Sequence, residues 1–520
     1  MFVLSMFDVT DIQRYIFQSN RLKEIIGAST LVDKALSTFL IEAIKSSVHG
    51  AYKVEWESYE HFDFLNNVDL EAELIYTGGG NALVAFRSKE VAKRVTKRLS
   101  QLLIENAPSL HFTVVHHTVE GNDFNEDRKK IMTALQKKKY ETPYKNKMGG
   151  FSITQLSDVS QLPITCIIDE TPYSSESLAK MKMASEKKQP YSLDERFAIP
   201  AEFDHLGRNE GESYIGVVHI DGNEFGKRIK SVLSREMNYA KAVQKIRILS
   251  KEIDRIYKSA FQKVINLLIA SEKKGKIGNI KLKKADNEER EYYYLPIRDI
   301  VINGDDVTFV CDGRLALFLS YFFLKTINME KLEGEPISAC AGIAIVKAHF
   351  PFYRAYQIAE QCCQSAKKKA KSKEYDEVLS WLDFHVVSTG ITGDLETTRR
   401  KHYQVAEADS NYHLLWRPWL VSDTDRYSGD AHNFQHFIQI YQEFTSGESK
   451  WPRNKLKQLE LALSKGNLET SLFLSEMESR GLQLPKFLPK LTTNGFTIEN
   501  QTPYYDVLEM SDFFQILEEV

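Results

Sequence analysis

Two short stretches of the 520-residue chain place carboxylates where apolar runs end. The first reads Tyr214-Ile-Gly-Val-Val-His-Ile-Asp-Gly-Asn-Glu-Phe-Gly226 and the second Asp299-Ile-Val-Ile-Asn-Gly-Asp-Asp-Val-Thr-Phe-Val310. Each β-branched run predicts a buried strand, and a buried strand tolerates carboxylates at its end only where they face a cleft. A hairpin with Gly304-Asp305-Asp306 at its tip would hold its acids beside the end of the neighbouring strand, so that Asp221 converges with Asp305 on a divalent ion. Mg²⁺ takes hard oxygen ligands and keeps phosphates and waters in its remaining positions, which suits two carboxylates and a backbone carbonyl. Two such ions, Mg²⁺ or Mn²⁺, would activate an attacking hydroxyl and stabilise a pyrophosphate leaving group, the chemistry of nucleotidyl transfer. Gly222, just after Asp221, leaves room for a triphosphate to approach the backbone. A Gly-Asp-Asp sequence alone is a common turn. Its coupling to an Ile-Asp-Gly-Asn strand end favours the metal reading.

The pair resembles the catalytic palm of the CRISPR polymerase family, the large subunit of type III CRISPR effector complexes, and more distantly the palm of GGDEF diguanylate cyclases. The resemblance implies Asp221 and Asp305 as metal ligands, the carbonyl of Gly222 beside them, and Asp306 supporting or sharing the second ion. Asn303 stands where the family has its first glycine. The basic run Ala366-Lys-Lys-Lys-Ala-Lys371 resembles the palm helix that carries a triphosphate-binding lysine, which points to Lys367 and, one turn on, Lys371. Lysines at a helix C-terminus also suit the macrodipole with no ligand at all. Gly304 at the hairpin tip and Asn223 and Glu224 near the metal strand are candidate nucleotide contacts.

The implied activity is that of a nucleotidyltransferase making cyclic oligoadenylate or cyclic dinucleotide messengers from ATP, or another nucleoside triphosphate, in prokaryotic antiviral defence. The implied partners are CRISPR effector subunits and guide or target RNA. A stand-alone synthetase and a non-catalytic scaffold or RNA-effector subunit that keeps the acids for structure are the alternative readings.

These residues need a scaffold, and the patterning predicts an α+β fold. It comprises two ferredoxin-like palm domains, a small insert and a helical C-terminal domain. Residues 1–120 read as a first palm: a strand at 2–7, a long helix at 21–44, a strand–glycine hairpin–strand at 74–86, a helix at 89–104 and a strand at 112–119. Asp8-Val-Thr-Asp-Ile-Gln-Arg-Tyr-Ile-Phe17 resembles the opening of the family's first palm. This copy has Gly79-Gly80-Asn81 where the second has acids, so it cannot assemble the same cage. Glycines at a hairpin tip can still let a nucleotide pass close to the backbone. The expected role of Gly79 and Gly80 is to help hold an acceptor nucleotide across from the active palm, and buttressing alone is the alternative.

Residues 121–212 read as a charged helical stretch and an insert, with the lysine-rich run at 127–139 taken as a solvated helix face. The insert resembles a segment that carries zinc-binding cysteines in the family, but only Cys166 remains, so no zinc is expected. Residues 213–390 read as the second palm. Its long helix is expected at 236–270, its polar loop at 271–290 as mobile, its central strand at 337–346, a helix from 353 to 371 opened by Pro351, and a closing strand at 382–387. Residues 391–520 read as mostly helical, with Leu414-Leu-Trp-Arg-Pro-Trp419 carrying no legible chemistry.

A net charge of −3 gives no global drive toward nucleic acid, so any anion binding must be local. The five cysteines show neither metal-ligand spacing nor a secreted disulfide pattern, and no run is long enough to cross a bilayer. A cytoplasmic location with no membrane partner is expected. His116 and His117 lack nearby acids and read as edge or core residues. With a palm strand beginning at residue 2, no leading nuclease domain is expected.

Overall fold

A five-stranded sheet and a six-stranded sheet face each other through their hairpins, and every candidate site residue except Lys367 and Lys371 lies on one of them or at its edge. The computed structural model describes residues 1–58, 61–141, 153–206, 213–287, 290–387, 393–407, 410–447, 450–487 and 494–518. The linker residue Gly390 and the end of the charged stretch at Gly149 lie outside the described residues.

The first sheet is built on β1 (Phe2–Thr10), whose residues are almost all buried. β1 is followed by α1 (Ile12–Phe17), α2 (Leu22–Lys34) and α3 (Leu40–Ser47), then β2 (Ala51–Lys53), the hairpin β3 (Leu70–Gly78) and β4 (Asn81–Phe86), α4 (Lys89–Asn106), β5 (His111–Val119) and α5 (Phe124–Glu141). The order is β2-β3-β4-β1-β5, with β1 antiparallel to both β4 and β5. The helix expected at 21–44 is α2 and α3 joined by a π-helical turn at Ala35–Phe39. His116 sits on the edge strand β5, where its Nδ1 is 2.8 Å from Ser5 Oγ.

The insert contributes the hairpin β6 (Ile164–Ile168) and β7 (Thr171–Ser174), α6 (Ser175–Ala184) and the short β8 (Phe197–Ala198). The second sheet is built on β9 (Tyr214–Gly222). After it come α7 (Phe225–Leu233), which patterning missed, and α8 (Tyr239–Ala270).

The segment expected to be a mobile loop instead forms β10 (Lys276–Ile277), β11 (Ile280–Lys281), β12 (Lys284–Asn287) and β13 (Arg290–Tyr294). Two short hairpins result, and β13 pairs in parallel with β8. Alternation of lysines with Ile277, Ile280 and Leu282, all buried, was the overlooked signal.

The palm continues with the hairpin β14 (Ile297–Asn303) and β15 (Asp306–Asp312), α9 (Ala316–Asn328), the small ribbon β16 (Lys331–Leu332) and β17 (Glu335–Pro336), β18 (Ala339–Lys347), α10 (Phe352–Ala370) and β19 (Ser380–Val386). β9 lies between β15 and β18, antiparallel to both, and β19 runs parallel to β18. α10 rests directly on β18 because Gly342 has no side chain: a Cβ there would lie 1.9 Å from the carbonyl oxygen of Ala359.

Beyond it lie α11 (Leu395–His402), the ribbon β20 (Gln404–Glu407) and β21 (Ser410–His413), β22 (Trp419–Val421), α12 (Phe434–Thr445), α13 (Arg453–Leu463), α14 (Asn467–Ser479) and α15 (Tyr504–Glu509). β22 adds an antiparallel strand beyond β19, so this region extends the second sheet as well as packing helices on it. Arg417, fully buried, pairs with Asp506 at 3.1 Å and Glu509 at 2.5 Å and donates to the carbonyl of Phe384 at 2.7 Å. The stretch around Trp419 thus fastens the C-terminal helices to the palm.

The two sheets repeat one plan: a central strand, a hairpin on one side, and a strand on the other followed by a helix. The hairpins bulge at matching places, between Leu74 and Tyr76 in the first and between Asp299 and Val301 in the second. A bulge leaves carbonyls outside the ladder, and a buried carbonyl needs a donor. Each palm supplies the donor for the other. Arg247 of α8, 1% exposed, donates to the carbonyls of Leu74 and Ile75 at 2.8 and 2.9 Å and pairs with Glu73 at 3.0 Å. In return, Ser29 of α2 donates to the carbonyl of Ile300.

Removing one partner of such a buried pair strands the other. Arg247→Ala is expected to cost about 3–5 kcal/mol, read as a lower urea midpoint. Arg247→Met combined with Glu73→Leu is expected to recover only the part due to the stranded carboxylate, because the carbonyls of Leu74 and Ile75 still lose their donor.

Candidate active site

β9 ends on Asp221 and Gly222, and the antiparallel register sets Asp221 opposite Asp306 on one side and Cys340 on the other. The β14–β15 hairpin turns through Gly304 at φ 61°, a left-handed conformation that favours glycine, with open space on its Cβ side. The N–H of Gly222 donates to the carbonyl of Asp305 at 3.2 Å and ties the hairpin tip to the strand end. Asp221, Asp305 and Asp306 thereby lie at neighbouring strand ends, near enough for their charges to interact, although among the described residues no three such side chains are set closely enough to hold a metal ion as they stand.

Period-two alternation adds a residue that motif reading missed. His219 shares a face with Asp221, lies 3.3 Å from Thr308 Oγ1 and is 3.5 Å from Asp306 Oδ1. Burial pushes its pKa down, so the ring beneath the acids is neutral.

Crowded carboxylates repel one another's charge. Burial, with Asp221 alongside, pushes Asp305 up to about 6 and Asp306 up to about 7. The Asp306 side chain is 47% exposed, yet its Oδ1 is shielded from solvent and lacks a hydrogen-bond partner. An orphaned carboxylate oxygen beside two further acids suits a hard cation. The carbonyl oxygen of Gly222 also faces this point, since the Lys367 ammonium lies 3.2 Å from it and 2.6 Å from Asp221. Burial would lower the pKa of Lys367, but Asp221 outweighs it and holds the ammonium above its ordinary value.

Other expectations are corrected. The Cβ side of Gly222 is filled by Phe225 at 2.2 Å and Tyr257 at 2.8 Å, so this glycine serves close packing, and open backbone lies at Gly304 instead. Lys371 is exposed at the C-cap of α10 and is not brought to the acids. Asn223 is spent on the fold: its amide donates to Ser338 Oγ at 3.0 Å and the carbonyl of Leu379 at 3.2 Å. With Glu224 it lines a cavity of about 1070 Å³ on the β18–β19 side, away from the hairpin tips.

Between the palms lie two more cavities, of about 1000 and 1040 Å³. Gly79, Gly80, Asn303 and Asp305 line both, and Asp306 lines the larger. The hairpin tips touch where the N–H of Gly79 donates to Asn303 Oδ1 at 3.1 Å, which gives Asn303 a role that glycine could not fill.

The first palm mirrors the second without its acids. Asp8 faces Asn81 in the register that sets Asp221 against Asp306. A Cβ on Gly80, the counterpart of Asp305, would lie 2.3 Å from Ile12 Cδ1. The lysine run is solvent-exposed as expected, and its end, Lys139, pairs with Asp8 at 2.5 Å. The signal was positional. Lys139 follows Val119, the end of β5, by the same interval as Lys367 follows Lys347, the end of β18.

Residues 214–376 match the family model for Cas10/Cmr2, second palm domain. The second palm is a Cas10-type palm. The whole chain is similar in fold to a Csm1–Csm4 cassette in complex with cA4, with a TM-score of 0.54 at 14% identity over 98% of this chain and 69% of that one. Csm1 in the Csm1–Csm4 subcomplex of the type III-A CRISPR-Csm interference complex gives 0.54 at 13% identity over the same shares. Csm1 from T. onnurineus gives 0.53 at 13%, again over 98% and 69%. No curated protein sequence matches the chain. Among the described residues, no helix is long and apolar enough to cross a membrane.

Acids that hold protons near neutrality must release them to bind a cation. Mn²⁺ affinity of the Cas10-type palm is expected to rise about tenfold or more from pH 6 to pH 8 and then level off, measured by isothermal titration. The shift also carries a stability sign. Both folded values lie above the ordinary 3.8, so the metal-free fold loses stability as pH rises from about 4 to about 7, and the loss is constant above that. Asp306→Asn is therefore expected to raise the unfolding midpoint in EDTA at pH 8, by an amount that shrinks steadily towards pH 5.

Proposed function

We propose that the chain is a metal-dependent nucleotidyltransferase that joins nucleoside triphosphates, ATP foremost, into a cyclic oligoadenylate or cyclic dinucleotide messenger. The observation that carries this reading is the grouping of Asp221, Asp305 and Asp306 at neighbouring strand ends beside Lys367, with Asp305 lining two nucleotide-sized cavities between the palms and Asp306 one of them. The similar Csm1–Csm4 structures are described in complex with cA4, pppApA and AMPPNP, which supports the same substrate and product class.

In this reading the three carboxylates and the Gly222 carbonyl hold Mg²⁺ or Mn²⁺, which supplies charge neutralisation at the reacting phosphate. Lys367 leaves Asp221 and turns to the triphosphate. Asp8, Gly79, Gly80 and Lys139 face the acceptor nucleotide from the first palm. A ribose hydroxyl oxygen of that nucleotide bonds to the α-phosphorus of the donor as the bridging P–O bond breaks. Pyrophosphate carries off the electron pair, and the hydroxyl proton passes to water. The neutral His219 braces Asp306 without adding charge.

Membership of a CRISPR effector complex, with a Csm4-like subunit and target RNA as partners, is the setting we propose. The similar Csm1 chains are seen with Csm4, one of them from a CRISPR-Csm interference complex.

The test is incubation of the purified chain with each nucleoside triphosphate and Mg²⁺ or Mn²⁺, products being read by mass spectrometry. A cyclic product is expected, reduced at least about a hundredfold by Asp305→Ala/Asp306→Ala. If no triphosphate gives a product even with partner subunits and target RNA present, the chain is a scaffold.

A further inference from the structure

Within the insert between the palms, residues 185–190 form a short strap after α6 that is tied to both palms. On the first-palm side α6 presses so closely on α2 that a Cβ on Gly27 would lie 1.6 Å from the carbonyl oxygen of Lys180. Lys180 is itself buried, donating to the carbonyl of Tyr15 at 2.8 Å and pairing with Glu176 at 2.7 Å. On the second-palm side Lys187, 11% exposed, lies 3.0 Å from Asp299 Oδ2 and donates to the bulge carbonyl of Ile300 at 2.6 Å. A backbone held in this way fixes the origin of the next side chain, Lys188.

Lys188 lines the 1040 Å³ cavity that also contains Asp305 and Asp306. The other lysines around that cavity are committed: Lys34 to Glu186, Lys187 to Asp299 and Lys258 to Asp254. Lys188 is exposed and has neither ion pair nor hydrogen bond among the described residues. A free ammonium on an anchored strap, lining the same cavity as Asp305 and Asp306, calls for an anion.

The charge around the cavity narrows the class. Four lysines face five carboxylates there, so a bare anion is not attracted. An anion that arrives with divalent ions is, because those ions occupy the acids and reverse the local sign. A polyphosphate does this, and an ammonium suits tetrahedral phosphate oxygens as a compact point charge.

We propose that residues 185–190 form a polyphosphate clamp for the second palm, in which Lys188 holds the β- and γ-phosphates of a metal-complexed nucleoside triphosphate and then the departing pyrophosphate. This inference rests on the nucleotidyl-transfer reading above. It assigns the insert a part in substrate binding.

The test compares the full chain with Lys188→Ala and Lys188→Arg by isothermal titration, using Mn²⁺ alone, Mn²⁺ with inorganic pyrophosphate, and Mn²⁺ with an imido-linked ATP analogue. Loss of one charge-assisted contact is expected to weaken pyrophosphate and analogue binding by about tenfold in Lys188→Ala, with recovery in Lys188→Arg and Mn²⁺ affinity unchanged in both. Tight analogue binding by the wild type that Lys188→Ala leaves intact overturns the clamp while the nucleotidyl-transfer reading stands. Failure of the wild type to bind the analogue or pyrophosphate at all overturns both.

Discussion

The architecture depends on a reciprocal exchange of hydrogen-bond donors between the palms. Each hairpin carries a bulge whose free carbonyls would be costly to bury alone, and each is satisfied by a helix of the opposite palm: Arg247 reaches into the first and Ser29 into the second. Neither hairpin is complete on its own. The exchange fixes the distance between the hairpin tips, brings Gly79 against Asn303, and leaves cavities to either side of that contact. Lys187 adds a third tie at the Ile300 bulge, so the insert is part of the same bracing.

Within that frame the second palm tolerates an electrostatic conflict. Three acids are held together although their mutual repulsion raises the cost of ionising them, and the relief on hand is one ammonium, Lys367, on a helix laid flat against the sheet by the absence of a side chain at Gly342. The first palm has resolved the same conflict by deletion. Ile12 occupies the space an acid would need at position 80, and the single remaining carboxylate, Asp8, is matched by a single lysine, Lys139.

Much of the second palm was legible because its signals are local. Apolar β-branched runs gave its central strands, a proline marked the start of α10, and Asp221 with the Gly-Asp-Asp tip gave the acids. What escaped depended on partners far away in sequence. Nothing near Gly222 announces that Phe225 and Tyr257 fill its open side, and nothing near Asn223 announces its bonds to Ser338 and Leu379. The lysine run at 127–139 looks like any solvated face until Asp8 is placed beside its end. Residues 271–290 were misread for another reason: their strands are short, and a high lysine content masks the brief alternation around Ile280 and Leu282. The fastening of Arg417 by Asp506 and Glu509 spans most of the C-terminal region and leaves no local trace.

The internal repeat has a consequence for symmetry. When two separate identical chains meet face to face, both half-sites must carry the same residues, and a change that improves one role is imposed on the other. Joining the two copies in one chain removes that equivalence. One copy can lose its acids and fill the space with Ile12 while the other keeps a full set. The cleft then has a fixed polarity, with a full set of acids on one side and a single carboxylate on the other, written into the order of the polypeptide.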